Sequence, residues 1–332
     1  MRHNFTIKQI NSPFEDTAFF VRNVYKRQAF LLDCGRLGNI ENSEILSISD
    51  IFVSHTHIDH FYGFDRILRG SLRSDKKIRI FGPPGIINNV SGKIQGYTWN
   101  LIKNYTFKIE VVELRGDGKI KQAFFNAEDG FIPYFEENVI DRIELEDGFI
   151  LEYEFFDHDI ISVGYRIKED KHVNIKKDVF DKYGYIPGPW LSTLKAKLRN
   201  CTDLNEMIPV ETVDGTKEIA LKQLEEELVI YKKPQDITYI TDIAPTYENF
   251  VKAVNFAKNS SILLIEAMFL KCDIIDAIYK KHLTVELAKE IFASSNSIYV
   301  KFFHFSPKYE KDKGKFFANL YSGISDKILK TL

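Results

Sequence analysis

The sequence predicts an α/β layered fold, and three observations carry that expectation. Short apolar runs alternate with amphipathic stretches over the last hundred residues. Similar β-rich runs, each closed by a turn, fill the first hundred. No repeat or low-complexity segment breaks the pattern. In chain order, Ala29–Asp33 and Ile51–Ser54 read as buried strands. Phe64, Ile67, Leu68 and Leu72 fall at helical spacing, and Ile78–Phe81 is a further strand. Gly82-Pro83-Pro84-Gly85 is a turn; it lacks the Lys-Ser/Thr that a phosphate-binding loop requires. Residues 107–157 are β-prone, with Gly116-Asp117-Gly118 as a hairpin loop. A helix is expected near Ile219–Glu227 and a strand at Ile237–Ile240. Helix Tyr247–Asn259, strand Ser261–Ile265, helix Val285–Phe292 and strand Ile298–Phe303 then alternate.

Composition narrows the class. Hydrophobic residues at 44% and charged residues at 28% of 332 exclude a disordered or fibrous chain. The chain is read as one domain over residues 1–332, with a β-rich acidic insert at about 112–157 and a basic, irregular segment at about 168–232. Between Glu136 and Asp159 stand ten acidic residues and one Arg. The balance of 45 Lys+Arg against 47 Asp+Glu excludes binding of nucleic acid by bulk charge alone. Three scattered cysteines, Cys34, Cys201 and Cys272, make neither a disulfide framework nor a thiolate zinc site. Met1–Lys8 is polar, and the apolar run Ile262–Ile265 meets Glu266 far short of a membrane span. A cytoplasmic protein with no membrane partner is expected.

The densest chemistry lies in Ser54-His55-Thr56-His57-Ile58-Asp59-His60, directly after an apolar strand. Neutral imidazole and carboxylate are the ligand types of zinc and neighbouring divalent metals. In an extended loop, residues two apart point the same way, so His55 and His57 can share one metal. Asp59 and His60 can then face a second.

The pattern His-x-His-x-Asp-His after a strand resembles the metallo-β-lactamase superfamily of dinuclear hydrolases. That likeness implies a four-layer αββα sandwich and asks for three more ligands. Asp157-His158 followed by Gly164-Tyr165-Arg166-Ile167 is similar to a ribonuclease Z pattern. So are Tyr239-Ile240-Thr241-Asp242-Ile243-Ala244-Pro245 and Phe303-His304-Phe305-Ser306-Pro307-Lys308-Tyr309. The resemblance implies His55, His57 and His158 on one metal, Asp59, His60 and His304 on the other, and Asp242 bridging. Glu266-Ala267-Met268-Phe269 with His282-Leu283-Thr284 resembles the family's Glu and His pair, in which the His protonates the leaving oxygen and the Glu orients it. Tyr183–Leu191, with its Pro187-Gly188-Pro189, resembles a further segment of the same family.

The activity so implied is phosphodiester hydrolysis by metal-activated water, cutting RNA endonucleolytically and on the 3′ side of tRNA precursors. Asp59 would take the water's proton and His282 would supply one to the leaving oxygen. Two zinc ions are expected, with manganese or iron as substitutes, and a homodimer is implied by the resemblance. Lys308 keeps a positive charge where the family has Arg. Arg66, Arg69 and Arg73 recur at helical spacing and are candidates for phosphate contact. The chain also departs from the family. Ile10-Asn11-Ser12-Pro13-Phe14-Glu15-Asp16 stands where a Gly-rich loop with Arg-Asn is usual, and the acidic insert would repel RNA if it lined the substrate path. A small phosphodiester, or less readily a thioester or lactone, is the alternative substrate. His282 and Glu266 favour the phosphodiester, because acyl transfer needs no such acid. A non-catalytic RNA-binding scaffold is the third reading, and the full ligand set argues against it.

Overall fold

The computed structural model describes residues 5–24, 28–116, 118–139, 142–145, 148–200 and 203–328. His3, Cys201, Asp117 of the expected hairpin loop, and Asp141, Glu146 and Asp147 of the acidic stretch lie outside them. The chain divides into two compact units, residues 1–141, 152–166 and 237–332 in the first, residues 142–151 and 167–236 in the second. The expectation of one domain over 1–332 thus meets a chain with two centres of packing.

The first unit begins with an eight-stranded sheet in sequence order: β1 (Phe5–Gln9), β2 (Phe19–Asn23), β3 (Ala29–Leu32), β4 (Ile48–Phe52), β5 (Lys77–Gly82), β6 (Lys108–Leu114), β7 (Lys119–Asn126) and β8 (Tyr134–Val139). Pairings β3·β4, β4·β5 and β5·β6 are parallel. Strand β3 is a continuous apolar run because both of its faces are covered. On one face Leu31, Ile51, Val53 and Ile80 pack beneath helices that include Phe64–Ser71 and Ile86–Gln95. On the other face Phe52 stacks on Phe81 at 5.2 Å and meets Tyr165 at 5.3 Å.

Tyr165 belongs to the second sheet. Strand β9 (Ile143–Leu145) lies in the other unit; β10 (Phe149–Asp157) and β11 (Ile161–Glu169) have residues in both. The Tyr165 hydroxyl donates to the carbonyls of Val53 at 2.6 Å and Phe81 at 3.2 Å, a polar tie between the two sheets. Strands later in the chain, β16 (Asp236–Ile240), β17 (Ile262–Glu266) and β18 (Tyr299–Phe303), are mutually parallel. Ile240, Leu263, Ile265 and Val300 pack under the outer helices Tyr247–Phe256 and Val285–Ser295, while Tyr239 and Phe303 turn inward onto Phe19. The layers therefore run helix, sheet, sheet, helix. Thr246 and Thr284 cap the two outer helices through their hydroxyls.

The second unit corrects the expectation of a basic, irregular segment at 168–232. Strand β12 (His172–Ile175) pairs antiparallel with β15 (Val229–Lys232), and β13 (Met207–Thr212) pairs with β14 (Gly215–Ala220). Helices Trp190–Asn200 and Leu221–Leu228 supply Trp190, Leu194, Leu198 and Leu224 to a core of their own. The strands escape notice in the sequence because β12 buries only Val173 and β14 little more than Ile219. Nor is the segment basic as a whole: residues 168–232 hold 11 Lys+Arg against 12 Asp+Glu. Its lysines lie early and its acids late, and pairs such as Lys217 with Asp214 join the two. Among the described residues no helix is long and apolar enough to cross a membrane. Cys34 and Cys272 are free thiols, the first buried and the second exposed.

Candidate metal centre

In each parallel set of strands the C-terminal ends lie at one edge, and the chemistry gathers there. The residues just past β3, β4, β16 and β18 are Asp33, the His55–His60 segment, Asp242 and His304. Three of these leave their strands through left-handed backbone, with φ of +53° at Asp33, +51° at Asp242 and +58° at His304. Asp159, beside His158, does the same at +59°, while Lys281, beside His282, takes +61° as the residue that closes the helix Ile274–Lys280. Non-glycine residues take this conformation at a cost that the surrounding structure must offset, and such residues gather at functional sites. Asp33, Asp242 and His304 stand in this conformation at the C-terminal edge of their sheets.

Asp242 is the hub. Its Oδ2 lies 3.7 Å from Nε2 of both His55 and His158. Its Oδ1 lies 3.4 Å from Nε2 of both His60 and His304. Asp59, on the short helix Ile58–Phe61, stands 3.5 Å from His60 Nε2. Donor atoms of His55, His57, His158 and Asp242 all fall within 4.8 Å of one another, and so do those of Asp59, His60 and His304. All seven expected ligands thus converge in one pocket. His57 is exposed, Asp59 half-buried and the rest buried.

The far nitrogen of each buried ring is held in place. His60 Nδ1 donates to Asp33 Oδ2 at 2.7 Å, and His158 Nδ1 donates to the Lys281 carbonyl at 2.8 Å. His55 Nδ1 meets Ser54 Oγ at 3.1 Å, and His304 Nδ1 meets Thr17 Oγ1 at 3.0 Å. Such contacts fix ring orientation and tautomer in metal sites. They leave Nε2 of His55, His60 and His304 buried with no hydrogen-bond partner. Buried nitrogens rarely go unpartnered without a reason, and three aimed at one carboxylate suit divalent cations.

Electrostatics agree. Burial pushes His55 down to about 2, which keeps it the neutral imidazole a metal needs. Burial opposes charge on His60 as well, but Asp242 and Asp33 on either side of the ring overcome it and raise His60 well above its usual range. A pocket whose carboxylates draw protons onto buried imidazoles attracts positive charge.

Sequence reasoning missed Asp33. Fully buried, it accepts from the backbone N–H and hydroxyl of Ser54 at 2.7 and 2.8 Å, from His60, and from the Tyr239 hydroxyl at 2.5 Å. The signal in the sequence is a carboxylate ending an apolar strand, one strand ahead of the His-rich segment.

The expected acid pair stands beside the cluster. His282 Nδ1 donates to Glu266 Oε2 at 2.9 Å and lies 3.9 Å from Asp242. Glu266 Oε1 accepts from the Ile243 N–H at 2.7 Å, so the carboxylate is fixed at both oxygens. Burial works against charge on His282, yet Glu266 and Asp242 prevail and raise it to about 9.

The phosphate candidates do not join this group. Lys308 donates to Asp273 at 3.0 Å and to Asp276 at 2.8 Å. Arg66 donates to Asn42, and Arg69 is exposed on the same helix. That helix ends at Ser71, so Arg73 falls beyond it and the expected three-residue stripe is shorter by one. Arg166 is structural, donating to the carbonyls of Phe256 and Lys258.

No protein-family model matches the chain. Among curated proteins it is 24% identical to the ribonuclease Z of Deinococcus radiodurans, covering 91% of this chain and 90% of that one. It is 27% identical to the ribonuclease Z of Nanoarchaeum equitans, covering 90% and 81%. Among solved structures, the short form of human tRNase Z superposes with a TM-score of 0.51 at 14% identity, covering 92% and 93%. A metallo-β-lactamase-fold protein of Bacillus subtilis gives 0.52 at 12%, covering 98% and 96%. The chain has the metallo-β-lactamase fold, and its sequence resembles ribonuclease Z over most of its length.

Proposed function

We propose that this protein is a dinuclear metal-dependent phosphodiester hydrolase that cuts RNA endonucleolytically, with tRNA precursors, cleaved on the 3′ side, as its substrate. The observation that carries the reading is a seven-residue donor cluster with a buried His–Glu pair at its edge. The likeness to ribonuclease Z supports RNA as the substrate.

His55, His57 and His158 would hold one metal, Asp59, His60 and His304 the other, with Asp242 between them. Zinc suits this mixed imidazole and carboxylate set, and manganese or iron are its substitutes. When bound, two such ions lower the pKa of a water and offset charge on the phosphate. The remaining work falls to the protein. Asp59 is half-exposed at the pocket; burial pushes its pKa up, but His60 holds it below the usual carboxylate range, so it stays ionised to receive the water's proton. His282, engaged at Nδ1 by Glu266, keeps Nε2 to protonate the leaving oxygen. An alkoxide leaves poorly unaided, which is why a positioned acid belongs there. Arg66, Arg69 and Arg73 offer exposed positive charge to an RNA backbone, whereas Lys308 is already engaged by two carboxylates. A homodimer acting in the cytoplasm completes the proposal.

The test compares turnover of a structured pre-tRNA with that of bis(p-nitrophenyl) phosphate, with zinc or manganese supplied. Cleavage of the pre-tRNA at a single 3′ position is expected. Hydrolysis of the aryl ester alone would replace RNA by a small phosphodiester. Failure to cleave either substrate with two ions bound would end the phosphodiesterase reading.

A further inference from the structure

We propose that Thr17 is a positioning residue for the metal held by Asp59, His60 and His304, acting through His304; the proposal rests on the dinuclear reading above. Thr17 closes the β1–β2 connection, the segment in which this chain carries Asn11-Ser12-Pro13-Phe14-Glu15-Asp16 in place of the Gly-rich loop of the family it resembles. Thr17 is 1% exposed, and its hydroxyl lies 3.0 Å from His304 Nδ1. No other hydrogen bond to that nitrogen is found among the described residues. His304 Nε2, on the far side of the ring, is buried without a hydrogen-bond partner and lies 3.4 Å from Asp242. A ring held at one nitrogen presents the other in a single direction.

The connection is built to hold that hydroxyl still. The Ile10 N–H donates to the Ala18 carbonyl at 3.0 Å, closing the loop at its base. Asn11 spans it, donating to the carbonyls of Asp16 and Arg36. The Phe305 N–H, one residue beyond the ligand, donates to the Pro13 carbonyl at 2.8 Å. The Phe14 ring packs edge-on against Phe305 at 5.3 Å and Phe316 at 5.8 Å. The Thr17 carbonyl accepts from the Gly35 N–H at 3.0 Å. A Cβ on Gly35 would come within 2.1 Å of the Asp59 carbonyl and 2.8 Å of that of Thr17, so the loop, the turn after β3 and the metal-motif helix touch through bare backbone. Thr17 thus sits in one frame with both Asp59 and His304. A loop unlike the family's would supply, in a hydroxyl, the outer contact for the last ligand.

The experiment measures zinc content by mass spectrometry after dialysis against a series of buffered free-zinc concentrations. Wild type should take up two ions per chain. Thr17→Val should shift uptake of one ion to roughly 10- to 100-fold higher free zinc and leave the other unmoved. Thr17→Ser, which keeps the hydroxyl, should restore the wild-type isotherm. In a His304→Ala background Thr17→Val should change nothing further, because the contact it removes is already gone. Thr17→Ala removes the same hydroxyl with less bulk and serves if the valine variant does not fold by circular dichroism. Unshifted isotherms in the hydroxyl-free variants would overturn the proposal, and so would a full additional shift in the His304→Ala background. A wild-type chain that takes up only one ion overturns the dinuclear reading instead, an outcome seen before any variant is compared.

Discussion

The two halves of the pocket are anchored differently. Around Asp242 Oδ1, the far nitrogens of His60 and His304 meet side chains that arrive from the first sheet, Asp33 and Thr17. Around Oδ2, His158 is held by a backbone carbonyl, His55 by the hydroxyl of its own neighbour Ser54, and His57 is exposed, its ring 4.4 Å from that of His55. One half depends on distant side chains. The other depends on a main-chain carbonyl far along the sequence, at Lys281, and on the hydroxyl next to His55. Asp33 also accepts from the Ser54 hydroxyl, so its loss reaches His55 as well, whereas Thr17 bears on the first half alone.

The sharpest way to break that contrast is Asp33→Ala. It strands four donors, one of them the imidazole of His60, and a buried network that loses its acceptor costs about 3–5 kcal/mol. Urea denaturation should show a loss of that order, together with loss of an ion from the His60 half. A loss under 1 kcal/mol would mean that Asp33 is not the anchor its contacts imply.

His282→Ala lies outside both halves. It should retain both metals and lose roughly 10²- to 10⁴-fold in kcat on an RNA substrate, the range for general acid catalysis. Unchanged turnover would remove the acid assignment.

Glu266→Gln tests the same acid through pH. Glu266, hydrogen-bonded to His282, raises its pKa against burial. The acid must be protonated to work, so activity falls as pH rises through its pKa. With one carboxylate neutralised, burial gains ground and the alkaline limb of kcat/KM should move at least about one pH unit lower. The sign is fixed; a limb that moves up or stays put refutes the account.

The smallest effect belongs to Lys281→Ala. The variant keeps the carbonyl that holds His158 and loses only an exposed ion pair with Asp159, worth about 0–1 kcal/mol. Metal content should not change. A loss comparable to that of Thr17→Val would erase the difference between the halves.

The same contrast explains what was legible beforehand. His55, His57, Asp59 and His60 sit within six residues after a strand, so spacing alone points to their chemistry. His158, Asp242 and His304 stand at or near strand ends within recognisable neighbours, and the alternation of strands and helices could be read directly. Asp33 and Thr17 were not legible as partners, since each works through a histidine 27 or 287 positions away and belongs to no motif. Lys308 misled for a related reason: Asp273 and Asp276, which engage it, come from a segment more than thirty residues earlier. In the second unit, β12 and β14 each bury a single residue and leave no periodic trace.

The left-handed exits at Asp33, Asp242 and His304 have a thermodynamic consequence. They help gather seven donors spread from His55 to His304, a set that no fragment of the unfolded chain can complete. Divalent ions would then bind the native state more tightly than the denatured ensemble, in which only His55, His57, Asp59 and His60 stay close together. Free metal would act as a folding ligand, adding about 2.7 kcal/mol to the unfolding free energy per site at a hundred times its dissociation constant. The cell's supply of metal would set how long the chain survives as well as how fast it turns over.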